Sequence, residues 1–406
     1  MPQGIPLDQA ILDKHLEVYH DLHANPELSM QEQRTAEVIT GHLQALGANP
    51  QPCGGTGVVG VIENGPGPVV AFRADIDGLP VKEDTGLPYA STATGRLPDG
   101  TEVPTMHACG HDTHITAALS MAAHLVANRQ AWSGTLVLIF QPGEETAAGS
   151  AAMLADDIWQ KIPVPEIVLG QHVSNLPEGH IHTRPGHAMA LADSWRVTVH
   201  GEGAHGSRPH DSIDPITQAA YMITRLQTVV SRETNPSIPA VVTVGTISGG
   251  LKENVIAAQA EFTLNIRTVD EESRELVLSR IRRILEAEAA ASGAPAPTVE
   301  ELYRFPRCYN SPELTPQVVA ALAAELGEEA VNGEADRRMG SEDVGRFADD
   351  LGIPQVFWWF GGHDPASFAE GTPAGGHSPF FAPEDTRVVR AGTRAAMAAV
   401  LSQLGN

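Results

Sequence analysis

Leu136-Val137-Leu138-Ile139-Phe140-Gln141-Pro142-Gly143-Glu144-Glu145 runs five apolar residues into a polar turn that ends in two adjacent carboxylates. An apolar run without polar alternation suits a strand buried on both faces, as in a largely parallel sheet covered by helices. Two other stretches repeat the design. Val69–Ala74 leads into Asp75-Ile76-Asp77, and Ile167–Leu169 leads into Gln171-His172. Helical stretches alternate with these runs up to about residue 190. Ligands of open α/β sheets bind just beyond the carboxyl ends of strands, so the three polar clusters are expected to converge.

Upstream, Ser29 and Glu32 read as a capping box. They precede a helix that carries Ala36, Ile39, Leu43 and Leu46 and stops at Gly47. The middle of the chain changes period. Trp195, Val197 and Val199 alternate with Arg196, Thr198 and His200, the pattern of a half-exposed strand. A helix with Pro215 in its first turn follows, then strands Ala240–Ile247 and Ala260–Thr268. Asp270 caps a helix ending near Gly293, and Thr298–Phe305 reads as a last strand. The order β-α-β-β-α-β is that of a ferredoxin-like domain. A helix near Pro316–Leu326, the apolar run Gln355–Phe360 and a final helix from about Pro383 return to the α/β style. The expected fold is therefore α/β, a mostly parallel sheet in residues 1–189 and 307–406 interrupted by a βαββαβ domain over 190–306.

Composition narrows the function. The 406 residues are 42% hydrophobic and 19% charged, enough for a sizeable core. Twenty-six Lys and Arg face 50 Asp and Glu, a net charge of −24 that repels phosphate backbones and anionic lipid heads. Nucleic-acid and membrane-surface binding are thus excluded as expectations. No apolar run approaches the roughly 20 residues that span a bilayer, and Met1–Leu16 shows no signal-peptide pattern. Cys53, Cys109 and Cys308 are too few for a disulfide scaffold and fit a reducing, cytoplasmic setting.

The densest chemical signal is Met106-His107-Ala108-Cys109-Gly110-His111-Asp112-Thr113-His114. A thiolate and an imidazole two residues apart reach one metal from a turn opening a helix, and the intervening Gly lets the backbone approach closely. Glu144 and Glu145 would be a solvated pair on a surface turn. After a buried strand, two such carboxylates call for a cation, one as ligand and the other as general base. His172 and His377 are each ambiguous alone, as structural hydrogen-bonders or ligands. With Cys109, His111 and a Glu they make a set too large for a structural zinc site and suited to two metals. His205, in the tight polar loop Gly203–Pro209, reads equally well as an exposed loop histidine or as a functional group. Arg267 could clamp a carboxylate with a further bond from Asn254, although its chemistry alone favours a solvent-facing arginine.

Together these motifs resemble the aminoacylase/carboxypeptidase family of two-metal hydrolases, in the amidohydrolase branch of hippurate and auxin-conjugate hydrolases. The shared residues are Arg73–Pro80, Met106–His114, Gln141–Glu145, Gly203–Pro209, Gly340–Asp343 and His377-Ser378-Pro379, in order along nearly the whole chain. The resemblance implies a catalytic domain and an inserted lid. It also implies Cys109, His111, Glu145, His172 and His377 as metal ligands and Glu144 as general base. His205 would steady the oxyanion, in its own subunit or a partner's, and Asn254 and Arg267 would hold the substrate carboxylate. The implied reaction is hydrolysis of N-acyl amino acids with two divalent ions, zinc, manganese, cobalt or nickel. A dipeptidase or carboxypeptidase and a non-catalytic small-ligand module are the alternatives. The edge of the lid sheet offers pairing for a homodimer or homotetramer. Gly143 and Ala257 depart from the Ala and Pro usual there, and the segment 363–376 has no clear match.

Overall fold

In the computed structural model, which describes residues 5–369, 371 and 373–405, the Leu136–Phe140 run lies within the strand Gly134–Gln141. It belongs to an eight-stranded sheet. Val69–Asp75 lies parallel beside it, followed by Ile167–Pro177 and Gln355–His363, also parallel. Gly57–Asn64 pairs with it antiparallel on the other side, and short strands complete both edges.

Helices cover both faces. Gly170 faces Val344, whereas Val173, three residues on, faces Gly110 at the start of the helix His111–Ala127. Odd and even positions of a strand point to opposite sides. Helices Gln9–Ala24, His111–Ala127 and Asp385–Leu401 pack on one another on one side, around a core that includes Tyr19, Leu119 and Phe360.

Gln171 and Arg73 show how this layer takes in large polar side chains. The strand expected to stop at Leu169 continues to Pro177, with Gln171 and His172 inside it. Gln171 accepts from the Trp358 indole and donates to Gly392 O, so neither polar end is wasted. Arg73, 1% exposed, donates to Gln141, Asp75 and Asp343. Asp343 in turn accepts from the Ser150 hydroxyl at 2.7 Å.

The capping box does not form. The helix Gln33–Ala45 has Glu32 at its N-cap with no side-chain cap bond. Glu27 serves instead, its carboxylate accepting from the backbone N–H groups of Arg34 at 3.1 Å and Thr35 at 2.8 Å. Ser29 and Glu32 turn elsewhere.

A second compact unit comprises Met189–Cys308 and Arg337–Glu342. Its antiparallel sheet has the order Val241–Gly249, Gln259–Thr268, Leu191–His200, Thr298–Phe305. Asp214 and Asp270 cap the helices Pro215–Thr228 and Glu271–Ala291. These helices bury Trp195, Val197, Phe262, Leu264 and Ile266, while Thr263, Asn265 and Arg267 take the other face. The segment Arg337–Glu342 joins this unit through Ala190, whose N–H donates to the carbonyls of Arg338 and Gly340, both at 3.0 Å. No described helix is long and apolar enough to cross a membrane.

Candidate metal centre

The Cys109-Gly110-His111 turn depends on its glycine. Gly110 sits at φ +78°, and a Cβ there would lie 2.5 Å from Val173 Cγ1. With no side chain it lets the helix His111–Ala127 begin tight against the sheet. Cys109 Sγ then lies 3.4 Å from His172 Nε2. His172 Nδ1 donates to Val173 O at 2.6 Å, which fixes its proton and leaves Nε2 a lone pair facing the thiol. His111 Nδ1 lies 3.1 Å from Asp77 Oδ1. Its fully buried Nε2 has no hydrogen-bond partner and stands 3.6 Å from Asp75 Oδ2 and 3.9 Å from Glu145 Oε1.

The strand Gly134–Gln141 delivers the second set of groups. After Pro142 the chain turns through Gly143 at φ +52° and Ala147 at φ +55°, holding Glu144-Glu145-Thr146 in one helical turn between them. Glu145 N–H donates to Asp77 Oδ2 at 3.1 Å. Glu145 Oε1 lies 3.2 Å from His377 Nε2. His377 holds an unusual φ of +68°, and its N–H donates to Ala108 O at 2.7 Å, tying this loop to the Cys109 turn. Ligand atoms of Cys109, Glu145 and His377 lie within 4.8 Å of one another, as do those of His111, Glu144 and Glu145. Mixed sulfur, nitrogen and oxygen donors at this spacing fit divalent transition-metal ions.

His205, Asn254 and Arg267 all belong to the second unit. His205 is exposed on the two-residue strand Ala204–His205, which pairs with Val255–Ile256. Gly206 N–H donates to Asn254 O at 2.8 Å, so those two motifs meet. Ser207 N–H donates to His205 Nδ1 at 3.1 Å, which makes Nδ1 the acceptor and places the ring proton on Nε2. Arg267 donates through Nε to Asn265 Oδ1 at 2.9 Å and through Nη1 to Ser341 Oγ at 2.8 Å. Asn265 is held in turn by Tyr303 OH at 2.8 Å. Among the described residues Nη2 of Arg267 has no partner.

Residues 71–401 match the family described as Peptidase family M20/M25/M40. The chain belongs to that family. It is 36% identical over 358 residues to an N-acetylcysteine deacetylase of Bacillus subtilis, covering 87% of this chain and 90% of that one. It is 34% identical over 359 residues to thermostable carboxypeptidase 2 of Saccharolobus solfataricus, covering 86% of each. The Bacillus subtilis YXEP protein, described as a dinuclear metal-binding peptidase of the M20 family, superposes with a TM-score of 0.76. That structure is 30% identical and the match covers 98% of this chain and 100% of that one.

In this M20/M25/M40 hydrolase the electrostatics call for cations. Burial and the carboxylates of Glu145, Glu144 and Asp75 hold the Cys109 thiol well above its usual range. Burial opposes a charge on His111, yet Asp75, Asp77 and Glu145 push it up to about 10. A proton on this ring answers the same negative field that a metal ion would answer more strongly, so metal binding releases that proton. Burial, with His114 beside it, holds His172 well below its usual range, in the neutral form that ligates metal.

Asp75, Asp77 and His114 carry more of this M20/M25/M40 site than the linear reading assigned to them. Asp75 bonds His114 Nδ1, whose Nε2 accepts from Val173 N–H at 2.8 Å, while Asp77 orients His111. Their spacing in Asp75-Ile76-Asp77 was the available signal, since alternate residues at a strand end both reach the site.

Proposed function

We propose that the protein hydrolyses the amide bond of N-acyl amino acids, releasing a carboxylic acid and a free amino acid. The observation that carries this reading is Glu144, 5% exposed, whose carboxylate shares one cluster with His111 and Glu145. A buried carboxylate beside the residues proposed to hold metal is placed to act as a base. Cys109, His111, Glu145, His172 and His377 would hold two divalent ions, zinc, manganese, cobalt or nickel. When bound, these supply the Lewis acidity that lowers the pKa of a water and polarises the amide carbonyl.

Glu144 takes the proton of the attacking water and passes it to the departing amine. The second unit acts as a lid. His205, with its proton on Nε2, donates to the oxyanion, a contribution worth roughly 3–4 kcal/mol for one well-placed donor. Arg267, held through Nε and Nη1, would bind the substrate carboxylate, and Asn254 would add a donor. The relatives' names support both acyl-amide and peptide substrates, so a dipeptidase or carboxypeptidase activity is the second reading. Three free cysteines support a cytoplasmic setting. The edge strand Val241–Gly249, with Val241 and Ile247 exposed, supports pairing with a second copy as a homodimer or homotetramer.

Amine release from N-acetyl and N-benzoyl amino acids and from dipeptides, with Mn²⁺ or Zn²⁺ and with or without chelator, tests the reading. Chelator-sensitive cleavage of the acyl amino acids is expected. Preference for dipeptides favours the peptidase reading, and no turnover in fully metallated protein contradicts both.

A further inference from the structure

Ser29 and Glu32 carry the local signature of a helix cap, yet Glu27 does that work and leaves both side chains pointed at the metal centre. Ser29 Oγ donates to Asp77 Oδ2 at 2.6 Å, the same oxygen that accepts from Glu145 N–H. Glu32 is fully buried. Its Oε1 accepts from Gly143 N–H and Met30 N–H, both at 2.8 Å, and its Oε2 accepts from Thr56 Oγ1. Gly143 N–H and Glu145 N–H bracket Glu144. The turn that carries the two carboxylates is therefore held at both ends, one directly by Glu32 and the other by Asp77 under Ser29. Met30 closes the brace from φ +63°, and a Cβ on Gly143 would lie 2.6 Å from its sulfur.

We propose that Ser29 and Glu32 are positioning residues that aim the Glu144-Glu145 turn. The proposal rests on the roles given above to Glu144 as base and Glu145 as ligand. A carboxylate is a costly choice for a buried acceptor. Burial and the nearby Asp77 carboxylate push Glu32 up to about 7. What Glu32 offers in return is acceptor capacity for three donors from three separate segments. The brace works through geometry, because one oxygen takes both backbone N–H groups. A Gln would keep that oxygen and donate its amide to Thr56 Oγ1.

The test compares Glu32→Ala, Glu32→Gln and Ser29→Ala in metal-saturated protein, on an N-acyl amino acid that the wild type cleaves. Metal content, melting temperature, kcat and KM are measured on each. Outer contacts of metal sites typically change activity or metal affinity about 10–100-fold, so E32A is expected to lose about that much kcat with KM little changed. E32Q should recover most of it, and S29A should show a smaller loss in the same direction. If E32A does not fold, S29A and E32Q decide. Variants that melt earlier but turn over at wild-type kcat, or an E32Q as impaired as E32A, would overturn the proposal. An E144Q variant run alongside separates the two levels. Wild-type turnover in E144Q removes the underlying reading, whereas a dead E144Q with a fully active E32A removes only the brace.

Discussion

Asp77 and Glu145 are joined by a 3.1 Å hydrogen bond from the Glu145 N–H to Oδ2, while Asp77 Oδ1 stands 3.1 Å from His111 Nδ1. One carboxylate thus sets the position of one expected ligand through its backbone and the tautomer of another through its ring. Metal-site partners of this kind raise ligand basicity and fix ring orientation. Asp77→Asn keeps the shape but turns an amide either toward the His111 ring or toward the Glu145 N–H and the Ser29 hydroxyl. Metal affinity or kcat is expected to fall about 10–100-fold. Titration of apo protein with Zn²⁺ or Mn²⁺, followed by kinetics at saturation, measures both, and unchanged values would remove Asp77 from this role.

Arg267 supplies a test of substrate recognition. Its guanidinium is held by Ser341 Oγ at 2.8 Å and by Asn265, itself fixed by Tyr303 OH. Ser341→Ala should loosen the fork and raise KM several-fold for N-acyl amino acids. Arg267→Ala should raise it more, since a hydrogen bond to a charged group is worth about 1.5–3 kcal/mol. The corresponding amino-acid amides, which lack the carboxylate, should show no change in KM with either variant. Equal effects on acids and amides would contradict the carboxylate clamp.

Stability should depend on pH through His15. It is 3% exposed, its Nδ1 lies 2.7 Å from Ile11 O, and burial pushes it down to about 4 from 6.5. Between those values the unfolded chain binds the proton and the folded chain does not. The contribution is therefore intact above pH 6.5 and is lost as pH falls toward 4, at no more than about 1.4 kcal/mol per unit. Denaturant unfolding of the wild type and of His15→Leu from pH 7.5 to 4.5 checks this. The variant should lose less stability over that window, and parallel curves would refute it.

The parts of the fold that were legible in sequence are those whose physics is local. Leu136–Phe140 and Gln355–Phe360 lack polar alternation because both sheet faces are covered. In the second unit, Phe262, Leu264 and Ile266 alternate with Thr263, Asn265 and Arg267 because one face is not. Cys109, Gly110 and His111 stood out because ligand types and a glycine crowd one turn. What was not legible depends on contacts distant in sequence. Ser29 and Glu32 look like a cap to any local rule, and only the fold brings Gly143, 111 residues away, to Glu32. Gln171 looked like the end of a strand because its partners, Trp358 and Gly392, arrive from the far end of the chain. Arg337–Glu342 carries no periodic signal to tie it to the second unit, which it joins through backbone bonds to Ala190.

Glu144 is the residue on which the account stands. The most direct measurement is turnover of an N-acyl amino acid by Glu144→Gln, with metal content determined on the same sample. General-base removal costs about 10²–10⁴-fold, so turnover should fall by that factor while two metal ions per chain are retained. Wild-type turnover in the fully metallated variant would contradict the account.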